Sequence, residues 1–548
     1  MNSTAAEFCA ILSAPRGGGS VRERHSGKGD QVMDQSYRPR YHASVTSGWA
    51  NDPNGTIFYR GKAHLFYQHY PHKPQWGTMH WGHFATTDFV RWERLPITLV
   101  PDQDYEILCG CCSGSAIEKD GKLYLLYTAA QPDLQRQCLA VSEDGIQFQK
   151  DPGNPIVTAD MLHPEVSRTD FRDPRMFRKG DWYYLIAGAR VLNEEQAAAN
   201  PNGGYLERKI DPLSVYSPSL GNVSGMDPEK AGYGNLILLK SRDLYHWQYV
   251  GKLIYEQDEF DLAYFRLNGV YECPDYFTDN GEEVLISSPQ NLPTMGRRYQ
   301  NIHSSLYMLG KLNFSTGRFQ IRAIEEIDSG FDFYAAQTLR MPDGRVIMIA
   351  WKEMWDRNYP TQSEGWAGTY TLPRELTVEE GRLIQKPVRE IAAYRKNRAS
   401  CDSLSVTNQS VSLDGVSGNV VELHVTLKPG AASKAGLKLF KGGEHETLIY
   451  YDRADGVLVF DRSRSGQPFR GQEKDTVRRY CDIGQAESVE LSLFLDVCSL
   501  EVFIDGGRHT MTGNVYPEPE TDTGIEFFCE GGTCQFRDIE KYDIVVDP

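Results

Sequence analysis

Five times in the first two-thirds of this 548-residue chain, a turn glycine is followed by a run of buried-type strand residues. The copies begin Gly61-Lys62-Ala63-His64-Leu65-Phe66-Tyr67, Gly121-Lys122-Leu123-Tyr124-Leu125-Leu126-Tyr127 and Gly180-Asp181-Trp182-Tyr183-Tyr184-Leu185-Ile186. They continue at Gly281 (Glu282-Glu283-Val284-Leu285-Ile286) and Gly344 (Arg345-Val346-Ile347-Met348-Ile349). Successive glycines fall about 60 residues apart, with one gap near 100 that holds the polar segment 193–229, read as a surface insertion. Downstream, Thr87 to Trp92, Ser142 to Phe148 and Ser241 to Trp247 read as turns between outer strands, each ending on an aromatic. Strand-rich repeats without a helical period predict an all-β fold, a propeller of five four-stranded blades.

A chain of this length exceeds one ordinary core, so a second domain is expected. Beyond a connector at Pro387-Val388-Arg389-Glu390-Ile391, short alternating strands resume at Val420 to Val425, Leu448 to Tyr451, Val457 to Phe460, Leu491 to Leu495 and Leu500 to Gly507. Close spacing and tight turns predict a C-terminal β-sandwich. The expected division is a disordered extension over 1–36, the propeller over 37–385, a linker over 386–405 and the sandwich over 406–548. The extension contains the Gly-rich, charged stretch from Arg16, and Met33 is an alternative start.

A net charge of −16 argues against nucleic acid or an anionic membrane as the main partner and suits a neutral ligand. No apolar run approaches the roughly 18 residues that a membrane span requires. The apolar stretch Ala5 to Leu12 contains Glu7 and follows no basic residue, so it is a poor signal peptide. Eleven cysteines without paired spacing favour a reducing compartment, and the two observations together predict a cytoplasmic protein. Cys109-Gly110-Cys111-Cys112 is expected to be free thiols. His64, His69, His72, His80 and His83 show no metal-site spacing, so neither metal nor cofactor is expected.

Inner strands of propeller blades line the central channel, so residues just ahead of each repeat glycine should gather at one mouth. Asp52 lies nine residues before Gly61, Asp173 seven before Gly180 and Glu272 nine before Gly281. Three carboxylates therefore hold equivalent places on the first, third and fourth repeats. Each also has a plain local reading. Asp52-Pro53-Asn54-Gly55 has turn composition, Arg172-Asp173-Pro174 could be an ion pair beside a turn, and Glu272-Cys273 is short. Trp49 ahead of the first group tips the balance, because sugar sites pair an aromatic platform with carboxylates and amides.

The stretch Trp49-Ala50-Asn51-Asp52-Pro53-Asn54-Gly55 resembles the Trp-x-Asn-Asp-Pro-Asn-Gly signature of the invertase family (β-fructofuranosidases, glycoside hydrolase family 32). The likeness extends over about residues 38–548 and implies a five-bladed propeller followed by a β-sandwich. It implies Asp52 as nucleophile, Asp173 of the Arg-Asp-Pro motif as transition-state stabiliser and Glu272 of the Glu-Cys motif as acid/base. The implied substrate contacts are Trp49, Asn51, Gln68, Trp76, Cys112, Ser113, Arg172, Tyr334 and Trp355. Ala50 and Cys112 depart from the family, which often has Met and an aromatic there; both bear on substrate preference.

The chemistry expected is retaining glycoside hydrolysis, with two carboxyl groups about 5–5.5 Å apart. Asp52 would be ionised with a low pKa, and Glu272 raised by burial and like charge. Asp173 would accept hydrogen bonds from sugar hydroxyls, kept ionised by Arg172, while Cys273 packs against Glu272. The partner implied is a small sugar, sucrose first or a fructo-oligosaccharide, and a homodimer is possible. Alternatives are sucrose-6-phosphate hydrolysis, transfructosylation, an inverting arabinanase with carboxylates about 6.5–9.5 Å apart, and a sugar-binding propeller without catalysis.

Overall fold

All five repeat glycines adopt left-handed backbone, with φ of 83° at Gly61, 76° at Gly121, 59° at Gly180, 80° at Gly281 and 93° at Gly344. A Cβ at any of them would meet nothing within 4 Å, so backbone conformation and not space selects glycine there. Each sits in the turn that folds the first strand of a sheet back onto the second. This computed structural model describes residues 36–107, 109–131, 134–192, 233–255, 270–469 and 477–546. The expected extension, Ser36 apart, and the expected insertion at 193–229 lie outside them.

The N-terminal part is a set of antiparallel sheets, each formed by strands in nearly sequential order. The first contains β1 (Gly48–Tyr59), β2 (Lys62–Tyr70), β3 (His80–Thr86) and β4 (Glu93–Leu99). The second contains β5 (Cys111–Lys119), β6 (Lys122–Gln131), β7 (Leu134–Ser142) and β8 (Gln149–Lys150). The third runs through β9 (Val166–Lys179), β10 (Trp182–Val191), β11 (Tyr233–Ser241) and β12 (Gln248–Lys252). The fourth comprises β13 (Tyr271–Asp279), β14 (Glu282–Pro289), β15 (Leu306–Leu312) and β16 (Phe319–Glu326). The last comprises β17 (Tyr334–Arg340), β18 (Val346–Trp351), β20 (Arg374–Glu379) and β21 (Arg382–Pro387). Between β18 and β20, the short β19 (Trp366–Ala367) pairs in parallel with β1, Gly48 opposite Trp366, and ties the end of the set to its beginning. First strands pack against first strands, β1 on β5 and β17 and β13 on β9 and β17, as in a β-propeller.

The turns between third and fourth strands share one device. Thr86, Ser142 and Ser241 each accept an N–H three residues on, from Phe89, Gly145 and Leu244. Asp88, Asp144 and Asp243 each accept two more, through Oδ1. Local side-chain bonds of this kind replace a ladder where the chain reverses.

The C-terminal part is a sandwich of two six-stranded sheets. Alternate residues such as Val421, Leu423, Val425 and Leu427 point inward against Leu437, Ile449, Phe460, Leu491, Leu493 and Phe527. The linker expected over 386–405 is largely structured. Arg389–Tyr394 is a 3-10 turn, and Arg395–Thr407 is a strand paired with the last strand, Thr533–Ile544. Its polar sequence reads as linker because most of its side chains face solvent. Among the described residues, no helix is long and apolar enough to cross a membrane.

Cys109 and Cys112 form a disulfide, against the expected free thiols; Gly110, at φ 80°, turns the chain so that their Cα atoms lie 6.2 Å apart. Among the described residues, eight other cysteines are free thiols.

The two parts meet across buried charge. The Arg374 guanidinium donates to Asp328, Gln385 and Thr510 through Nη1, and to Glu501 and Thr512 through Nη2. Burial opposes ionisation of Glu501, but the Arg374 charge and the His42 hydrogen bond outweigh it and hold the carboxyl at about 2. Replacing Arg374 with Met would strand two buried carboxylates. Arg374→Met should lower stability against denaturant by about 3–5 kcal/mol, the usual cost of removing one partner of a buried pair. A change below about 1 kcal/mol would show that the seam does not depend on it.

Candidate active site

The first strand of each sheet departs from regular pairing near its start. Register slips occur between Ala50 and Pro53 of β1, Cys112 and Gly114 of β5, Arg172 and Arg175 of β9, Glu272 and Asp275 of β13, and Tyr334 and Gln337 of β17. A bulge sets extra residues opposite the partner strand and re-aims the side chains beside it. Asp173, Cys273 and Ala335 sit in left-handed backbone at φ 58°, 46° and 57°, which costs a non-glycine residue energy and persists only in a rigid frame. Asp52, Ser113, Arg172, Asp173, Glu272 and Tyr334 all lie at or next to these irregularities.

Asp52 is buried, and Ser113 donates to its Oδ2 at 2.7 Å while Asn51 donates to its Oδ1 at 3.1 Å. Asn51 is itself fixed, its Oδ1 accepting from the Trp49 indole at 2.8 Å and its carbonyl from Tyr370 at 2.7 Å. The Cys273 thiol lies between two carboxylates, 3.5 Å from Asp52 Oδ2 and 3.7 Å from Asp173 Oδ2, and its backbone N–H donates to Asp173 Oδ2 at 3.0 Å. Beside its expected neighbour Glu272, whose charge the thiol also feels, Cys273 thus reaches both aspartates. Left-handed backbone at Cys273 turns its amide and thiol toward the two aspartates. Burial and the three carboxylates keep that thiol protonated and a donor.

Arg172 differs from expectation. Its Nε and Nη2 both donate to Glu272 Oε1, at 3.0 and 2.9 Å, and its Nη1 to Asp170 Oδ1 at 3.3 Å. The adjacent Asp173 feels Arg172 through charge. Burial, then the Glu272 charge, raise the Asp173 carboxyl to about 7 against the pull of Arg172. Asp52, expected to be low, is likewise raised by burial, opposed first by the Ser113 hydrogen bond and increased by the Glu272 charge. Among the protein's own groups, desolvation outweighs the donors.

Glu272 Oε2 lies 2.6 Å from the Tyr334 hydroxyl, which is also 2.9 Å from the Ser288 carbonyl. Tyr334 has one proton for these two acceptors, and a carbonyl cannot donate. The two Glu272 oxygens thus have different partners, the Tyr334 hydroxyl on Oε2 and Arg172 on Oε1.

Trp49, Trp351 and Trp355 stand together, their ring centroids 5.0–6.0 Å apart, and Trp76, Tyr334 and Cys273 belong to the same apolar cluster. Gln68 is buried and donates to the Cys111 carbonyl at 2.9 Å. Cys112 lies beside Ser113 with its sulfur in the disulfide. The sequence reading misses Tyr370, which holds the Asn51 backbone, and Thr128, whose hydroxyl accepts the Asp173 N–H at 3.0 Å. It also misses Asp170. Tyr370 is 319 residues from Asn51 and carries no local signal; Asp170, two before Arg172 in a strand, does. No group of three or more His, Cys, Asp or Glu among the described residues could hold a metal ion.

Two family models match the chain, the N-terminal domain of glycosyl hydrolases family 32 over residues 42–199 and 222–387 and the family's C-terminal domain over 390–543. A sucrose-6-phosphate hydrolase of Zymomonas mobilis is 34% identical over 519 residues, 92% of this chain and 91% of its own length. The raffinose invertase of Escherichia coli is 32% identical over 502 residues, 89% of this chain and 91% of the enzyme. Among solved structures, a Bombyx mori family 32 β-fructofuranosidase matches with a TM-score of 0.72 and 29% identity, covering 94% of this chain and 95% of that one. The sucrose-6-phosphate hydrolase of Lactobacillus gasseri matches with a TM-score of 0.75 and 28% identity, covering 94% of each chain.

Raised pKa values have a consequence for stability. A carboxyl whose folded pKa lies above its ordinary 3.8 favours the folded state while protonated, an advantage complete below about 4 and lost as pH rises through about 7. Asparagine imitates the protonated form at every pH. Asp173→Asn should therefore melt higher than the parent at pH 8, with the difference shrinking toward pH 4. Calorimetry across that range tests this, and a variant less stable at pH 8 would contradict it.

Proposed function

Because the chain belongs to glycosyl hydrolase family 32, we propose that it is a β-fructofuranosidase releasing terminal β-D-fructofuranosyl residues from sucrose and short fructo-oligosaccharides with retention of configuration. The observation that carries the residue assignment is the shared pocket of Asp52, Asp173 and Glu272, delivered by three different first strands and joined through Cys273 and Arg172. The sheets headed by β1, β5, β9, β13 and β17 are read as five propeller blades over residues 37–385, with the sandwich as a second domain.

Asp52 attacks the anomeric carbon of the fructosyl unit while Glu272 protonates the departing oxygen, giving a covalent fructosyl-enzyme. Glu272 then takes a proton from water as the water oxygen bonds to the anomeric carbon and the bond to Asp52 breaks, which frees Asp52 and releases fructose in its original configuration. Asp173 accepts hydrogen bonds from the sugar hydroxyls; a bound polar ligand restores what burial takes from its ionised form. The tryptophans near Asp52 provide apolar faces for the sugar. Several relatives are named sucrose-6-phosphate hydrolases, and the same chemistry serves a phosphorylated leaving group. Comparing kcat/KM on sucrose and sucrose 6-phosphate assigns the preference.

Leaving-group dependence separates the two principal carboxylates. Glu272→Ala should lose about 10³-fold or more in kcat on sucrose but keep much of the glycosylation rate on a fructoside with an activated leaving group. Asp52→Ala should lose both, because no intermediate forms. Azide should rescue the Glu272 variant with retained product configuration. Equal losses for Glu272→Ala on good and poor leaving groups would refute its role as acid.

A further inference from the structure

We propose that Asp170 is a positioning residue for the acid/base carboxyl, acting on Glu272 through Arg172; this rests on Glu272 being the acid/base. Asp170 lies on β9 three residues before Asp173 and is buried, as are both arginines that reach it. Arg172 Nη1 donates to its Oδ1 at 3.3 Å, and Arg190 Nε, from β10, to its Oδ2 at 3.2 Å. The Thr169 hydroxyl donates to the same Oδ2 at 3.4 Å.

The edges of the Arg172 guanidinium are thereby divided. Nε and Nη2 converge on Glu272 Oε1, and Nη1 is anchored on Asp170. A planar guanidinium held on two sides cannot swing, so the Glu272 carboxylate it grips cannot turn about its own axis. That fixes Oε2 toward Tyr334 and the leaving-group side of the pocket. Asp170 also supplies negative charge to two buried guanidinium groups.

A buried ion pair can serve stability alone, and leaving-group dependence distinguishes that role. If Asp170 works by placing Glu272, its loss matters in proportion to the protonation the reaction requires. Full-length Asp170→Asn should lose about 10–100-fold in kcat on sucrose and less than about 3-fold on an aryl fructofuranoside with a good leaving group. In a Glu272→Ala background the same substitution should change the sucrose rate by less than about 2-fold, because the group it positions is gone. Asp170→Glu keeps the buried charge but displaces it, so it should recover melting temperature while retaining the sucrose-selective loss. Equal losses of Asp170→Asn on both substrates, or an undiminished effect without Glu272, would overturn the proposal. So would wild-type sucrose turnover in a folded Asp170→Glu. If Glu272→Ala itself shows no leaving-group dependence, the acid assignment has failed; if it does and Asp170→Asn does not, only the positioning role has.

Discussion

The pocket depends on backbone that a regular sheet would forbid. A first strand held in strict two-residue alternation would send its polar residues to both faces and could not bring Asp173, the Cys273 amide and the Cys273 thiol to one point. Irregular pairing at the head of each first strand, with left-handed residues at three of them, makes that convergence possible. Such conformations carry a cost that an isolated strand would relax by slipping register. Here each irregular segment is pinned by the second strand behind it and by neighbouring first strands. The β1–β19 pairing adds a link between the two ends of the set.

Within that frame, electrostatics and burial work against each other. Asp52 and Asp173 are withdrawn from water beside the partly buried Glu272, and the donors present do not fully compensate the two aspartates. The carboxylate site thus costs stability relative to an apolar or amidated one, a familiar relation between catalytic sites and folding stability. The same imbalance favours ligand, because sugar hydroxyls provide donors for carboxylates that lack them. Glu272 is handled differently, with one oxygen fixed by a guanidinium and the other sharing a proton position with a phenol. Asp52 and Glu272 are told apart by their partners more than by residue type.

Much of this is legible in the chain. The glycine register locates the first-to-second-strand turns and, by spacing alone, puts Asp52, Asp173 and Glu272 on equivalent strands. The aromatic-led polar cluster points to sugar. What stays hidden has a common cause, since long-range pairing decides it. The connector at 395–405 is a strand because the last strand of the chain lies beside it. Arg172 turns to Glu272, 100 residues away, and not to its neighbour, because a bulge rotates it. Asp52 is raised because burial is a property of the assembled ring. The Cys109–Cys112 disulfide follows from a turn at Gly110 that spacing alone does not reveal.

The central claim is that Asp52 forms the covalent intermediate. Glu272→Ala mixed with an activated aryl fructofuranoside should accumulate that species, because loss of the acid/base slows its hydrolysis more than its formation. Acid quenching, proteolysis and peptide mass analysis would then locate the fructosyl group. The account predicts one added hexosyl unit on the peptide carrying Asp52, formed at the rate of the aryl-group burst. A burst without label there, or label on Asp173, would contradict it.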